Sequence, residues 1–182
     1  MNIPNQLTVF RMILIPVFMI LLMVPTFGTV NGALTWNWLL AAIVFAVASF
    51  TDYLDGQIAR RTGVVTNFGK FADPLADKLL VMTALIFLTS FGVVPAWMTA
   101  VIVIRELAIT GLRTLIVENN GKVLAAQMPG KIKTFSQMFA VLFLYLHLDV
   151  IGMPLLWIAV IFTIYSGWDY FWQNRGVFAD GL

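Results

Sequence analysis

The sequence has no cysteine, a single histidine and little charge: Asp and Glu number 9 and Lys and Arg 11, together 11% of 182 residues. The missing cysteine excludes a disulfide framework. The scarcity of charge excludes more. Soluble domains carry about 25% charged residues, and a chain with less than half that share cannot cover a water-facing surface. The same composition excludes disordered and collagen-like chains, and it excludes a nucleic-acid-binding domain as well, the net charge being only +2.

What the sequence has instead is apolar length, with 60% of its residues hydrophobic. Residues 12–51 contain no Asp, Glu, Lys or Arg, nor do residues 79–104 or 150–168. A helix rises about 1.5 Å per residue, so each run can supply, or help to supply, a bilayer span of ~20 residues. A polytopic membrane protein is expected. The first apolar segment follows one basic residue, Arg11, and Val24-Pro25-Thr26-Phe27-Gly28 offers no small-x-small cleavage site, so it reads as a retained helix rather than a cleaved signal.

Gly and Pro punctuate the apolar runs, because one lacks steric restraint and the other a backbone donor. They divide the chain into six spans of about 4–24, 36–60, 70–91, 95–117, 134–148 and 151–172, with breaks at Pro25 to Gly32, Gly92 to Pro95, Glu118 to Lys133 and Asp149 to Pro154. Period-two alternation is absent and the runs are too long for barrel strands, so the fold class is all-α. No internal repeat divides the chain, and residues 1–182 form one domain. Lys and Arg are retained on the cytoplasmic side of membranes. Arg60, Arg61, Lys70 and Lys78 surround the second connection, Lys122, Lys131 and Lys133 occupy the fourth, Arg11 lies early in the first span and Arg175 follows the last. The first, third and fifth connections have none, so both termini and every large polar connection should face the cytoplasm. The six tryptophans fall mostly near span ends, as an interfacial belt requires.

Ionisable residues within spans cost about 3 kcal/mol or more and are kept mainly where they line a site. Here they cluster. Asp52 and Asp55 share a face near the end of the second span, and Asp73 and Asp77 share one near the start of the third. Antiparallel neighbours joined by a short connection bring the pairs together, and the repulsion among four carboxylates must be relieved by protons or cations. Each Asp could instead cap a helix or pair with Arg60, Arg61 or Lys78. All-oxygen ligation, with His147 far away in the fifth span, favours a hard divalent cation, magnesium or manganese, over zinc. Four carboxylates suit two metals, and a two-metal site suits displacement at phosphorus. Gly56 and Ala59 lack bulk and would let a nucleotide approach the backbone, or else a neighbouring helix; Arg60 can fork onto a phosphate.

These residues form one string: Asp52-Tyr-Leu-Asp55-Gly56-Gln-Ile-Ala59-Arg60, eight residues, Gly69, three residues, Asp73, three residues, Asp77. The string resembles the signature of the CDP-alcohol phosphotransferase family at all eight specified positions. These are membrane enzymes that transfer a phosphatidyl or similar group from a CDP-linked donor to an alcohol. The resemblance implies that Asp52 and Asp73 bridge two metals, that Asp55 holds one and Asp77 the other, and that Asp77 is the base for the acceptor hydroxyl. It also places Gly56, Arg60 and Thr66 in the CDP-lipid site, and it implies a homodimer.

Three further blocks, Asn2-Ile-Pro-Asn5-Gln-Leu-Thr8-Val-Phe-Arg11, Arg105-Glu106-Leu-Ala-Ile-Thr110-Gly111-Leu-Arg113 and Gly130-Lys131-Ile-Lys133-Thr134-Phe-Ser-Gln137, together with Tyr165-Ser-Gly-Trp-Asp169-Tyr-Phe, resemble one bacterial branch of that family over essentially the whole chain. The resemblance implies that CDP-diacylglycerol and sn-glycerol 3-phosphate are the substrates, that phosphatidylglycerol phosphate and CMP are the products, and that the site faces the cytoplasm from a multi-pass location in the bacterial inner or plasma membrane.

The charges agree independently with an anionic acceptor. Arg105, Arg113, Lys131 and Lys133 are four cations with only Glu106 nearby, and a phosphate dianion would balance them where serine or inositol would not. Their alternatives are an Arg105–Glu106 pair, an Arg113 that snorkels to the headgroups and lysines that bind anionic lipid. Asn5, Thr8 and Arg11 share a helix face that could contact the donor's cytidine or lie in the interface. The expected activity is therefore phosphatidyl transfer to glycerol 3-phosphate. Its rivals are a transferase of the same family that uses inositol phosphate, serine or phosphatidylglycerol, and a divalent-cation transporter. One-sided placement of the acids disfavours the transporter.

Overall fold

The computed structural model describes the backbone of residues 3–26, 28–32, 34–62, 67–118 and 128–175, and side chains within 6–26, 28–32, 34–51, 75–116 and 128–175. Its elements are α1 (Ile3–Met23), a short hairpin of β1 (Thr29–Asn31) and β2 (Leu34–Thr35), α2 (Trp36–Thr62), α3 (Asn67–Ser90), α4 (Ala96–Glu118), α5 (Met128–Tyr145) and α6 (Asp149–Gln173). Six helices stand where six spans are expected, and the fold is all-α apart from the hairpin.

The boundaries differ from expectation in two places. α5 begins at Met128, six residues before the expected 134, so Lys131 and Lys133 lie in its first turns rather than in a connection. Pro129 suits a helix start, since its fixed φ is helical and its missing N–H has no partner there. The expected break at Asp149 to Pro154 is confined to residues 146–148, where His147 takes φ 55°. α6 then runs through Pro154 as α1 runs through Pro16. Helices in apolar surroundings tolerate proline where neighbouring helices support the backbone.

Two glycines make the turns sharp. Gly92 has φ 76° and closes α3, with Val93 N–H donating back to the Leu88 carbonyl at 2.9 Å. Gly32, with φ 52°, turns the hairpin, in which Thr29 pairs with Thr35 and Asn31 with Leu34. The hairpin is a small element that apolar patterning does not reveal.

Short turns make the helices alternate in direction. The hairpin, the Gly92 turn and the His147 turn all lie at one end of the bundle. There Asn37 Nδ2 donates to the last carbonyls of α1, Leu21 at 2.9 Å and Val24 at 3.1 Å, satisfying groups that a helix end leaves open. The centre is closely packed. Phe18, Phe45, Leu85, Met98, Leu144, Tyr145 and Leu156 are fully buried or nearly so. The Phe18 and Tyr145 rings meet edge to face at 5.3 Å, and Tyr145 Oη donates to the Ala84 carbonyl at 2.8 Å. Gly152 lets α6 approach α5 so closely that a Cβ there would stand 2.7 Å from Leu144 Cγ.

The exterior is apolar too: Ile13, Ile20, Ile43, Phe50, Ile86, Ile104, Leu107, Ile161 and Ile164 are all exposed. Gln6–Met23 and Asp149–Gln173 are long and apolar enough to cross a membrane. Trp36, Trp97 and Trp157 flank the hairpin end, and Trp168 and Trp172 flank the opposite end. A bundle buried within and apolar without is that of a membrane protein, in which lipid takes the place of water around the outer faces.

Candidate active site

The end of the bundle opposite the hairpin holds the charges. The middle of α3, the second half of α4 and the first half of α5, with Ser49 of α2, surround a cleft of about 270 Å³. Asp77 and Lys78 enter it from α3, Glu106 and Arg113 from α4, and Lys133, Thr134 and Gln137 from α5. Helical repetition sets this arrangement. Glu106 and Arg113 are two turns apart on one face, and Lys133 and Gln137 are one turn apart. Leu80, Val81, Met82 and Met138 make its apolar wall.

Glu106 organises the cations. Its Oε1 accepts from Arg105 Nη1 at 2.9 Å and from Lys133 Nζ, and its Oε2 lies 4.0 Å from Lys78 Nζ. Lys78 also donates to Thr110 Oγ1, which itself donates at 2.6 Å to the Glu106 carbonyl. Three basic groups around one carboxylate leave this region with a surplus of positive charge. Arg105 continues to α6, where Nη2 donates to Ser166 Oγ at 3.0 Å. Gly167 makes that crossing possible, since a Cβ there would sit 3.1 Å from Arg105 Cγ. The Arg113 guanidinium lies over the Tyr170 ring, 5.5 Å from its centroid. Two sequence blocks far apart in the chain, 105–113 and 165–171, thus meet at one place.

Asp77 is half exposed to the cleft, and its Oδ1 lies 3.3 Å from Nη1 of Arg11. Arg11 itself is wholly buried in α1, as is Thr8 one turn earlier. The face shared by Thr8 and Arg11 therefore turns into the bundle and does not lie in the interface. Within the cleft lining, Arg113 Nε and Gln137 Oε1 are buried with no hydrogen-bond partner among the described residues. A donor and an acceptor left unsatisfied beside one cleft are groups for which a partner is expected.

The other expected site residues are distributed as follows. Lys133 lines the cleft, whereas Lys131 is exposed and absent from its lining, because positions two apart on a helix point in different directions. Arg105 takes the Glu106 pairing and stands behind the lining. Asp52, Asp55, Gly56, Ala59 and Arg60 belong to the last turns of α2, Asp73 to α3 and Asn5 to α1, but their side chains lie outside the described residues, as does Thr66 altogether. Among the described residues, no group of three or more His, Asp or Glu converges. Lys78, Glu106, Gln137 and Arg11 are the site's additions. Lys78 reads in sequence as a partner for the aspartates but meets Glu106 and Thr110 instead, and Gln137, one turn from Lys133, has no role assigned by the sequence.

A charged cleft let into one end of an apolar helical bundle marks a membrane protein with a seat for a charged ligand. The family model described as CDP-alcohol phosphatidyltransferase matches residues 1–165, and the chain belongs to that family. Relatives named CDP-diacylglycerol–glycerol-3-phosphate 3-phosphatidyltransferase include one from Bacillus subtilis (strain 168), 48% identical and aligned over 95% of each chain. One from Rickettsia typhi is 39% identical over 93% of this chain and 95% of its own, and one from Shigella flexneri serotype 5b is 35% identical over 98% of each.

Proposed function

We propose that the chain transfers the phosphatidyl group from CDP-diacylglycerol to sn-glycerol 3-phosphate, releasing phosphatidylglycerol phosphate and CMP. The names of its full-length relatives support the reaction. The observation that carries it to this site is the cleft itself: one half-exposed carboxylate, Asp77, faces a group of cations that includes Lys78, Arg113 and Lys133. A phosphate dianion on the acceptor suits those cations, and the Arg113 guanidinium at the cleft wall can donate to it. Arg105 and Lys131 complete the proposed acceptor-phosphate set, Arg105 through the Glu106 network.

Asp77 takes the proton from the 1-hydroxyl of glycerol 3-phosphate. That oxygen attacks the phosphorus bearing the diacylglycerol, and the bond from that phosphorus to the bridging oxygen of CMP breaks. A base within hydrogen-bond reach of the hydroxyl is the geometric requirement, and a half-exposed carboxylate beside a cationic seat for the acceptor's phosphate meets it. Gly56, Ala59, Arg60, Thr66, Asn5 and Thr8 form the proposed CDP-lipid site. Asp52, Asp55, Asp73 and Asp77 would hold the divalent cations, magnesium or manganese, two per site. An all-oxygen donor set with a carboxylate open to the cleft fits a hard cation. When bound, such cations neutralise the diphosphate and the departing CMP.

In this reading the six helices cross the bacterial inner or plasma membrane, with both termini and the cleft on the cytoplasmic side. The chain acts as a homodimer amid membrane lipid. CMP release measured on purified protein, with CDP-diacylglycerol, magnesium or manganese and each alcohol in turn, tests the assignment. Release with glycerol 3-phosphate is expected. Release with inositol phosphate or serine alone would sink the acceptor assignment, and none with any alcohol would reopen the transporter reading.

A further inference from the structure

We infer that Arg11 is a positioning residue for Asp77: held in α1 with no surface of its own exposed, it fixes the carboxylate of α3 in the orientation that faces the acceptor. The inference rests on the phosphatidyl-transfer reading, with Asp77 as its base. A guanidinium taken fully out of solvent is costly unless it is paired and hydrogen-bonded. Here it lies within α1 and meets a carboxylate 66 positions away, Nη1 to Oδ1 at 3.3 Å. That distance is long for a hydrogen bond but well within ion-pair range.

Exposure separates the two partners. Asp77 is 49% exposed and lines the cleft; Arg11 is 0% exposed and does not. A ligand in the cleft therefore reaches Asp77 without touching Arg11, so Arg11 acts on the reaction through the carboxylate. The pairing also joins two helices that run in the same direction and are not consecutive, so the orientation of Asp77 depends on how α1 docks against α3. A base must be aligned with its proton to about an ångström, and an ion pair with a buried side chain restricts the rotamers open to an aspartate.

The test compares Arg11→Met, which removes the charge but keeps much of the bulk, with Arg11→Lys, which retains the charge. Each purified protein is assayed for CMP release, for thermal unfolding with and without CDP-diacylglycerol, and for manganese binding by electron paramagnetic resonance. Expected for Arg11→Met is a kcat at least about tenfold lower, with both KM values within about threefold of the parent, as for a group acting mainly on the chemical step. Stabilisation by the donor should persist, manganese binding should weaken, and Arg11→Lys should recover part of kcat. An undiminished kcat in Arg11→Met, or a raised donor KM at normal kcat, overturns the inference. If Arg11→Met does not fold, Arg11→Gln, which removes the charge and keeps hydrogen-bonding groups, decides: a well-folded Gln variant with parental kcat and manganese binding overturns it. Absence of CMP release from the parent protein overturns the transfer reading itself, and the positioning role with it.

Discussion

On the proposed mechanism, an isosteric change at Asp77 should separate binding from chemistry. Asp77→Asn keeps the shape of the side chain and an oxygen for Arg11 to approach, but an amide cannot accept the acceptor's proton. Turnover should fall by about 10²–10⁴-fold, the usual contribution of a general base, while donor binding persists. CMP release alongside CDP-diacylglycerol-dependent thermal stabilisation checks this, and near-normal turnover would remove Asp77 from the role. Arg113 predicts a different pattern. It stacks on Tyr170 and lines the cleft, and its buried Nε has no hydrogen-bond partner among the described residues. Arg113→Ala should raise KM for glycerol 3-phosphate by about tenfold or more, since a charged hydrogen bond contributes about 1.5–3 kcal/mol. KM for CDP-diacylglycerol should hardly move. Equal effects on both substrates would argue for a general loss of packing.

Among the elements, the α5–α6 pair is the most exacting. Gly152 brings the two backbones together where a Cβ would meet Leu144 Cγ at 2.7 Å and the Leu144 backbone nitrogen at 3.1 Å, so no simple side-chain rotation relieves the clash. Gly152→Ala should destabilise the bundle by about 1–3 kcal/mol, the cost of overpacking a filled core. Gly111→Ala in α4 provides the contrast, because nothing lies within 4 Å of its Cβ position. There the gain in helix propensity, about 1 kcal/mol, should appear as equal or higher stability. Thermal midpoints in detergent distinguish the two, and a Gly152 variant as stable as the Gly111 variant would contradict the packing described. The separation matters for function because α5 carries Lys133 and Gln137 into the cleft, while α6 brings Ser166 to Arg105 and Tyr170 to Arg113.

For the whole molecule the central prediction is orientation. The absence of cysteine makes every introduced cysteine a unique label. With the hairpin outside and the charged cleft inside, Asn31→Cys should react with a membrane-impermeant maleimide in intact cells. Asn174→Cys, just beyond α6, should react only after the membrane is opened. Labelling of both from outside would overturn the common cytoplasmic placement of the cleft and the termini.

Composition and the order of residues determined the solvent, the class of fold and the number of helices. These depend on local quantities: the length of uncharged runs, the places of Gly and Pro, and the cost of a charge in lipid. The motif string also made membership of the CDP-alcohol phosphatidyltransferase family legible. Tertiary structure decided which charges meet. Arg11 reads in sequence as an orientation marker on a face for the donor or the interface, and Lys78 as a possible partner of the aspartates, yet Arg11 lies buried against Asp77 and Lys78 joins Glu106 at the cleft. Lys131 and Lys133 read as members of one acceptor-phosphate set, yet the start of α5 at Met128 gives them different directions, and Lys133, not Lys131, lines the cleft. Pairings such as 11 with 77, 105 with 166 and 106 with 133 depend on how separate helices dock and rotate. No spacing along one helix encodes that, because it arises from close contacts such as the one at Gly152, between residues that are neighbours only in the folded bundle.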